Sequence, residues 1–128
     1  MSTSTEYKLS AMKSQSFRAR LGFAFAGIGT VWRREKSFRT QCWLGLLGAA
    51  MTAALRPGWA WAALIALAIG LVLALEMVNG ALEYLIDRVH PEIHDEIKHA
   101  KDAAAGAVLL ASIFGSLVVA AMLASVLL

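Results

Sequence analysis

From Ala103 to Leu128 the chain carries no charged side chain, and the stretch from Trp59 to Leu75 is equally free of charge. A helix needs about 20 apolar residues to cross the hydrocarbon core of a bilayer, so such runs point to a membrane as the solvent. Composition agrees. The 128 residues are 59% hydrophobic and 16% charged, where an average soluble domain has roughly 45 to 50% apolar and about 25% charged residues. With a mean hydropathy of +0.62, there is too little polar surface to cover this much apolar side chain in water, and far too much apolar side chain for a disordered segment. The length allows one compact domain.

The formal charge of +3 is unevenly spread: eight of the twelve Lys and Arg lie in the first 41 residues, and seven of the nine acids lie after them. That asymmetry suggests a cytoplasmic face and anionic headgroups before it suggests nucleic acid, and no nucleic-acid partner is expected. A lone Cys42 excludes an intramolecular disulfide and a Cys-based metal cluster. Residues 1–14 are polar, have no long apolar stretch and read as a tail, with no secretory signal pattern. From residue 15 to 37, Phe17, Leu21, Phe25, Ile28 and Trp32 recur at helical spacing with Arg18, Arg20, Arg33 and Arg34 placed to meet headgroups. This predicts an amphipathic helix lying on the membrane surface.

Three apolar stretches follow, predicting transmembrane helices over 39–56, 59–86 and 103–128 and an all-α membrane protein. Residues 42–55 are short for a span, but Arg56 can snorkel and Phe38 extends the apolar part. Arg56-Pro57-Gly58 marks a turn. The connection from Arg88 to Lys101 holds three basic residues, against one in the first connection. The positive-inside rule therefore places the N-terminus and the second connection in the cytoplasm and the C-terminus outside. Gly45 with Gly48, Ala111 with Gly115, and Ser112 with Ser116 are small residues suited to close helix packing.

The chemistry lies in Glu76 to Asp87. Glu76, Asn79 and Glu83 stand at i, i+3 and i+7, so they share one helix face, and Asp87 follows a turn later. Ionisable residues in a membrane helix are costly and mark function by default. Glu76 lies 17 residues after Trp59, roughly 25 Å at about 1.5 Å per residue, which sets the stripe near the cytoplasmic boundary. Glu35, Lys101 and Asp102 are supplied from elsewhere on that side. Carboxylates, an amide and a lysine meeting at an interface suit Mg²⁺ and phosphate. The plainer alternative is that Glu83 and Asp87 are the solvated end of the helix, paired with Arg88 or Lys101. Neither a phosphate loop of the G-x-x-x-x-G-K-[ST] type nor a dinucleotide fingerprint occurs, and His90, His94 and His99 do not form H-E-x-x-H and read as a solvated connector.

These residues resemble the small prokaryotic integral-membrane diacylglycerol kinases and their relatives the undecaprenol kinases. The pattern E-x-x-N-[ST]-A-[IL]-E-x-x-x-D followed by A-K-D is met by Glu76, Asn79, Ala81, Leu82, Glu83 and Asp87, then Ala100-Lys101-Asp102, and an upstream E-x-x-F-R by Glu35, Phe38 and Arg39. One position departs: Gly80 stands where the pattern has Ser or Thr. The resemblance covers about residues 16–128. It implies a homotrimer with composite sites at the cytoplasmic interface, a co-substrate ATP, and Mg²⁺ as cofactor. It also implies that Glu76 is the general base, that Glu35 and Glu83 hold Mg²⁺, that Asn79 orients the base or a phosphate oxygen, and that Lys101 neutralises the polyphosphate. Asp87 and Asp102 would support the nucleotide site, and Glu92 and His94 would touch the nucleotide from the connector. The expected acceptor is the hydroxyl of diacylglycerol, with undecaprenol as the alternative, toward which His90-Pro91 and the run Ala103 to Val108 lean. A small proton-coupled exporter would need its acid at the midplane, and the depth of Glu76 argues against it. A purely structural subunit would leave Glu76, Asn79 and Glu83 on one face unexplained.

Overall fold

The computed structural model describes residues 2–13, 15–89, 92 and 94–128, and among these the chain is helical with no strand. Five helices follow one another: α1 Ser2–Lys13, α2 Phe17–Arg34, α3 Lys36–Leu55, α4 Trp59–Val89 and α5 Asp95–Leu127. They fall into two units, one ending at Arg34 and one running from Glu35 to Leu128. His90 and Pro91, part of the expected connector, lie outside the described residues, as does Ser14 of the expected tail.

In the first unit α1 occupies the stretch that the sequence offered only as a tail. The helix α2 begins where the Ser16 hydroxyl accepts the Ala19 N–H at 3.3 Å, an N-cap arrangement that satisfies a donor the helix cannot. Its last turn carries Arg33 and Arg34, the sign that a helix C-terminus favours. Phe17, Leu21, Phe25 and Ile28 are exposed along it, which leaves the amphipathic face open to an apolar surface.

The second unit holds the bundle. Sequence reading carried the surface helix through to residue 37 with Glu35 at its end, whereas the chain breaks at Glu35. Its φ of −104° and ψ of 108° are extended, and it is the N-cap of α3. A continuous helical periodicity gives no sign of one extended residue. The helix α3 ends as the turn residues require: Arg56 takes a left-handed φ of 48° and donates its N–H to Thr52 O at 3.0 Å, Pro57 cannot continue the helix, and Gly58 takes a φ of 107°.

The other connection is shorter than expected, because α4 runs on to Val89 and α5 starts at Asp95. The His94 Nδ1 accepts the Glu96 N–H at 3.2 Å, Asp95 and Glu96 occupy the first turn, and Lys98 pairs with Asp102 at 2.6 Å. A cap, acids at the positive end of the dipole and an i,i+4 ion pair hold eight polar-rich residues in helix. Hydropathy alone registers only the apolar run that follows.

Two helices, α4 and α5, are long and apolar enough to cross a membrane. At about 1.5 Å per residue each is more than ~45 Å long, so each projects beyond a hydrocarbon core of roughly 30 Å. Their large side chains do not form the core of a soluble bundle: Leu67, Leu71, Leu109, Phe114 and Leu117 are all more than half exposed. Apolar surface on this scale belongs against lipid or another chain. The expected third span, in α3, falls short of the same test, since its first six residues, Lys36 to Gln41, include only one apolar side chain, Phe38.

Packing is antiparallel from α3 to α4 and from α4 to α5. The small residues noted in the sequence lie at the crossings. A Cβ on Gly45 would come within 2.9 Å of Ile69 Cγ2, on Gly48 within 3.8 Å of Ile69 Cδ1, and on Gly115 within 3.7 Å of the Ala68 Cβ. The first distance is a clash with a branched methyl close to its own backbone; the other two are ordinary contacts. Both Gly45 and Gly48 gain the same helix propensity on replacement by Ala, so the two form a matched pair. Gly45→Ala is expected to be less stable than Gly48→Ala by about 1 to 3 kcal/mol, the usual cost of overpacking, read from paired thermal unfolding in one detergent. Equal stabilities would show that the α3–α4 crossing yields without strain.

Candidate active site

Glu76 is the one charged side chain buried among the described residues, 5% exposed and 17 residues into α4. A carboxylate is expensive to bury without hydrogen bonds. Here the Ser37 hydroxyl, in the first turn of α3, donates to Glu76 Oε2 at 3.1 Å. Glu35 and Glu83 are both near enough for their charges to act on Glu76. Glu35 arrives as the N-cap of α3, and Glu83 two turns along the face of Glu76. Because α3 and α4 are antiparallel, the start of α3 meets the second half of α4, and that topology places Glu35 within reach of the charge of Glu76. Asn79 is on the same face, half-buried.

A second pair of elements meets further along. Lys101 Nζ lies 3.9 Å from Asp87 Oδ1, which ties the first half of α5 to the end of α4. Asp102 lies just before the charge-free run of α5, and its carboxylate is taken up by Lys98 at 2.6 Å. This hydrogen bond and the Lys98 charge hold the Asp102 carboxyl below its usual range. The sequence counts Lys98 only among the basic residues of the connection; its i,i+4 spacing to Asp102 was the available signal for the pair. His94 caps α5 through Nδ1. Glu92 is exposed in the bend between α4 and α5.

Ser37 is the residue that sequence reasoning missed. It occupies an unremarked x of E-x-x-F-R, and only the antiparallel crossing of α3 and α4 sets it beside Glu76.

Below this group the three helices line an open groove of about 340 Å³, whose walls include the polar side chains of Gln41, Ser112 and Ser116 among apolar residues such as Met51 and Val72. Gln41 Nε2 donates to Ser112 Oγ at 3.3 Å, one turn beyond Ser37 on α3. Among the described residues no three His, Cys, Asp or Glu come together as a ready-made metal site. The acidic group fits a hard cation that takes one or two carboxylates and completes its shell with waters and phosphates, which is the habit of Mg²⁺.

The fold and this group define a helical membrane protein with an acidic, hydroxyl-bearing site at one end of its bundle. Residues 22–123 match the family model described as prokaryotic diacylglycerol kinase, and the chain belongs to that family. It is 37% identical over 92 residues to a diacylglycerol kinase of Synechocystis sp., covering 71% of this chain and 53% of that protein, so it spans about half the length of that relative. It is also 30% identical over 92 residues to the diacylglycerol kinase of Escherichia coli K12, covering 72% of this chain and 75% of that one. With the Haemophilus influenzae diacylglycerol kinase it shares 29% identity over 89 residues, 70% of this chain and 75% of the relative.

Proposed function

We propose that the protein transfers the γ-phosphoryl group of ATP to the hydroxyl of diacylglycerol, giving phosphatidic acid. The observation that carries this reading is the buried Glu76, hydrogen-bonded by Ser37 and flanked by Glu35 and Glu83, at the level where an apolar helix gives way to polar residues. A lipid hydroxyl and an aqueous nucleotide can meet at that level.

Glu76 takes the proton of the acceptor hydroxyl, the freed oxygen attacks the γ-phosphorus, and the bond to the bridging oxygen breaks to release ADP. Phosphoryl transfer asks the protein for positioning and charge neutralisation more than for covalent work. Glu35 and Glu83 would hold Mg²⁺, which when bound neutralises charge on the polyphosphate. Asn79 would orient the base or a phosphate oxygen. Lys101 would turn from Asp87 to the polyphosphate; at 3.9 Å that pair is loose enough to give way. Asp87 and Asp102 would support the nucleotide from α4 and α5, and Glu92 and His94 would border it. The test is ATP consumption by purified protein in detergent with and without added diacylglycerol: turnover that requires the lipid supports the reading, and turnover indifferent to it refutes it.

The fold supports two finer points. The helix α3 would serve as a third span by snorkelling of Arg56 and of the basic residues at its start, with the N-terminus and the site on the cytoplasmic side of a bacterial inner membrane and the C-terminus outside. One protomer also leaves much of the face around Glu83 and Asp87 uncovered, which argues for a closed cyclic oligomer, a homotrimer with sites shared between protomers. Native mass spectrometry is expected to show trimers, and fully active monomers would contradict this.

A further inference from the structure

Ser37 is the neutral member of an acidic group, and its hydroxyl reaches across from α3 to a carboxylate 39 residues away. It sits in the first turn of its own helix, where a serine commonly serves the local backbone, yet the structure turns it toward α4. On α4 itself, the position one turn after Glu76 on the same face is Gly80, buried and without a side chain. Glu76 is a long side chain whose terminal torsion is soft, and the like charges of Glu35 and Glu83 act on it. A hydroxyl can hold such a carboxylate in place without neutralising it, as an ammonium would.

We propose that Ser37 is a positioning residue for phosphoryl transfer: by donating to Glu76 Oε2 it fixes the carboxylate and leaves Oε1 as the atom that takes the proton of the acceptor hydroxyl. The inference rests on the reading of Glu76 as the base. In the step itself the acceptor O–H proton goes to Oε1, the new O–P bond forms, the bond between the γ-phosphorus and the bridging oxygen breaks, and ADP leaves with that electron pair. Ser37 keeps its own proton throughout.

The full chain is purified as the parent, Ser37→Ala, Ser37→Thr and Glu76→Gln, and kcat, the KM for ATP and for diacylglycerol, and the unfolding temperature are measured for each. Ser37→Ala removes one hydrogen bond to a charged group, so kcat, measured well below the unfolding temperature, is expected to fall roughly ten- to a hundredfold with both KM values unchanged, while the unfolding temperature falls slightly because the buried carboxylate loses a partner. Ser37→Thr keeps the hydroxyl and is expected to restore kcat. A Ser37→Ala protein with parental kcat beside an inactive Glu76→Gln would overturn the positioning role and leave the base in place. A lower unfolding temperature with the parental kcat retained well below it would make Ser37 a tie between helices and overturn it too. An active Glu76→Gln would remove the base, and the inference with it.

Discussion

Glu76→Gln is expected to give a protein that assembles at least as stably as its parent, still binds MgATP, and phosphorylates lipid roughly 10²- to 10⁴-fold more slowly, the usual contribution of a general base. The amide keeps the shape of the side chain, and its carbonyl oxygen still accepts the Ser37 hydroxyl that now bonds Oε2 at 3.1 Å. What disappears is the basicity. A charge that is 5% exposed and set near two other carboxylates is also removed, and burying an ionised group costs free energy, so stability holds or rises. Paired thermal unfolding and phosphoryl-transfer rates check this. A variant that keeps its rate but loses stability would make Glu76 a hydrogen-bonding partner between α3 and α4 and no part of the reaction.

Glu35→Gln and Glu83→Gln are expected to raise sharply the Mg²⁺ concentration needed for turnover, with losses on the order of 10²-fold at low Mg²⁺, since each variant removes one of the few anionic ligands of a cation that prefers hard oxygen. Both residues act on Glu76, so neutralising either also eases the crowding of like charge and leaves the helices intact. The measurement is rate against Mg²⁺ concentration for parent and variants. Parental rates for both at low Mg²⁺ would reduce Glu35 and Glu83 to solvated helix ends.

Much of this was legible because its signal is local. A spacing of i, i+3 and i+7 puts Glu76, Asn79 and Glu83 on one face of any helix, and Pro57-Gly58 must end α3. The charge-free runs and the three separated motifs were equally open to reading, and they led to the family. What escaped depends on one residue or on crossings between helices. The break at Glu35 is a single extended residue between two helical stretches. The start of α5 at Asp95 depends on a His94 cap and the Lys98–Asp102 pair, inside a segment whose polarity looks like a connector. Ser37 is far from Glu76 in the chain, and nothing in the composition of α3 marks it.

The central claim is tested most directly by offering labelled ATP to the purified protein in lipid micelles with diacylglycerol and with undecaprenol in parallel. Labelled phosphatidic acid, formed in a Mg²⁺-dependent reaction and absent with Glu76→Gln, is the result expected. Label passing to undecaprenol alone would contradict the assigned acceptor, and label passing to neither lipid would contradict the account of this site as a lipid kinase.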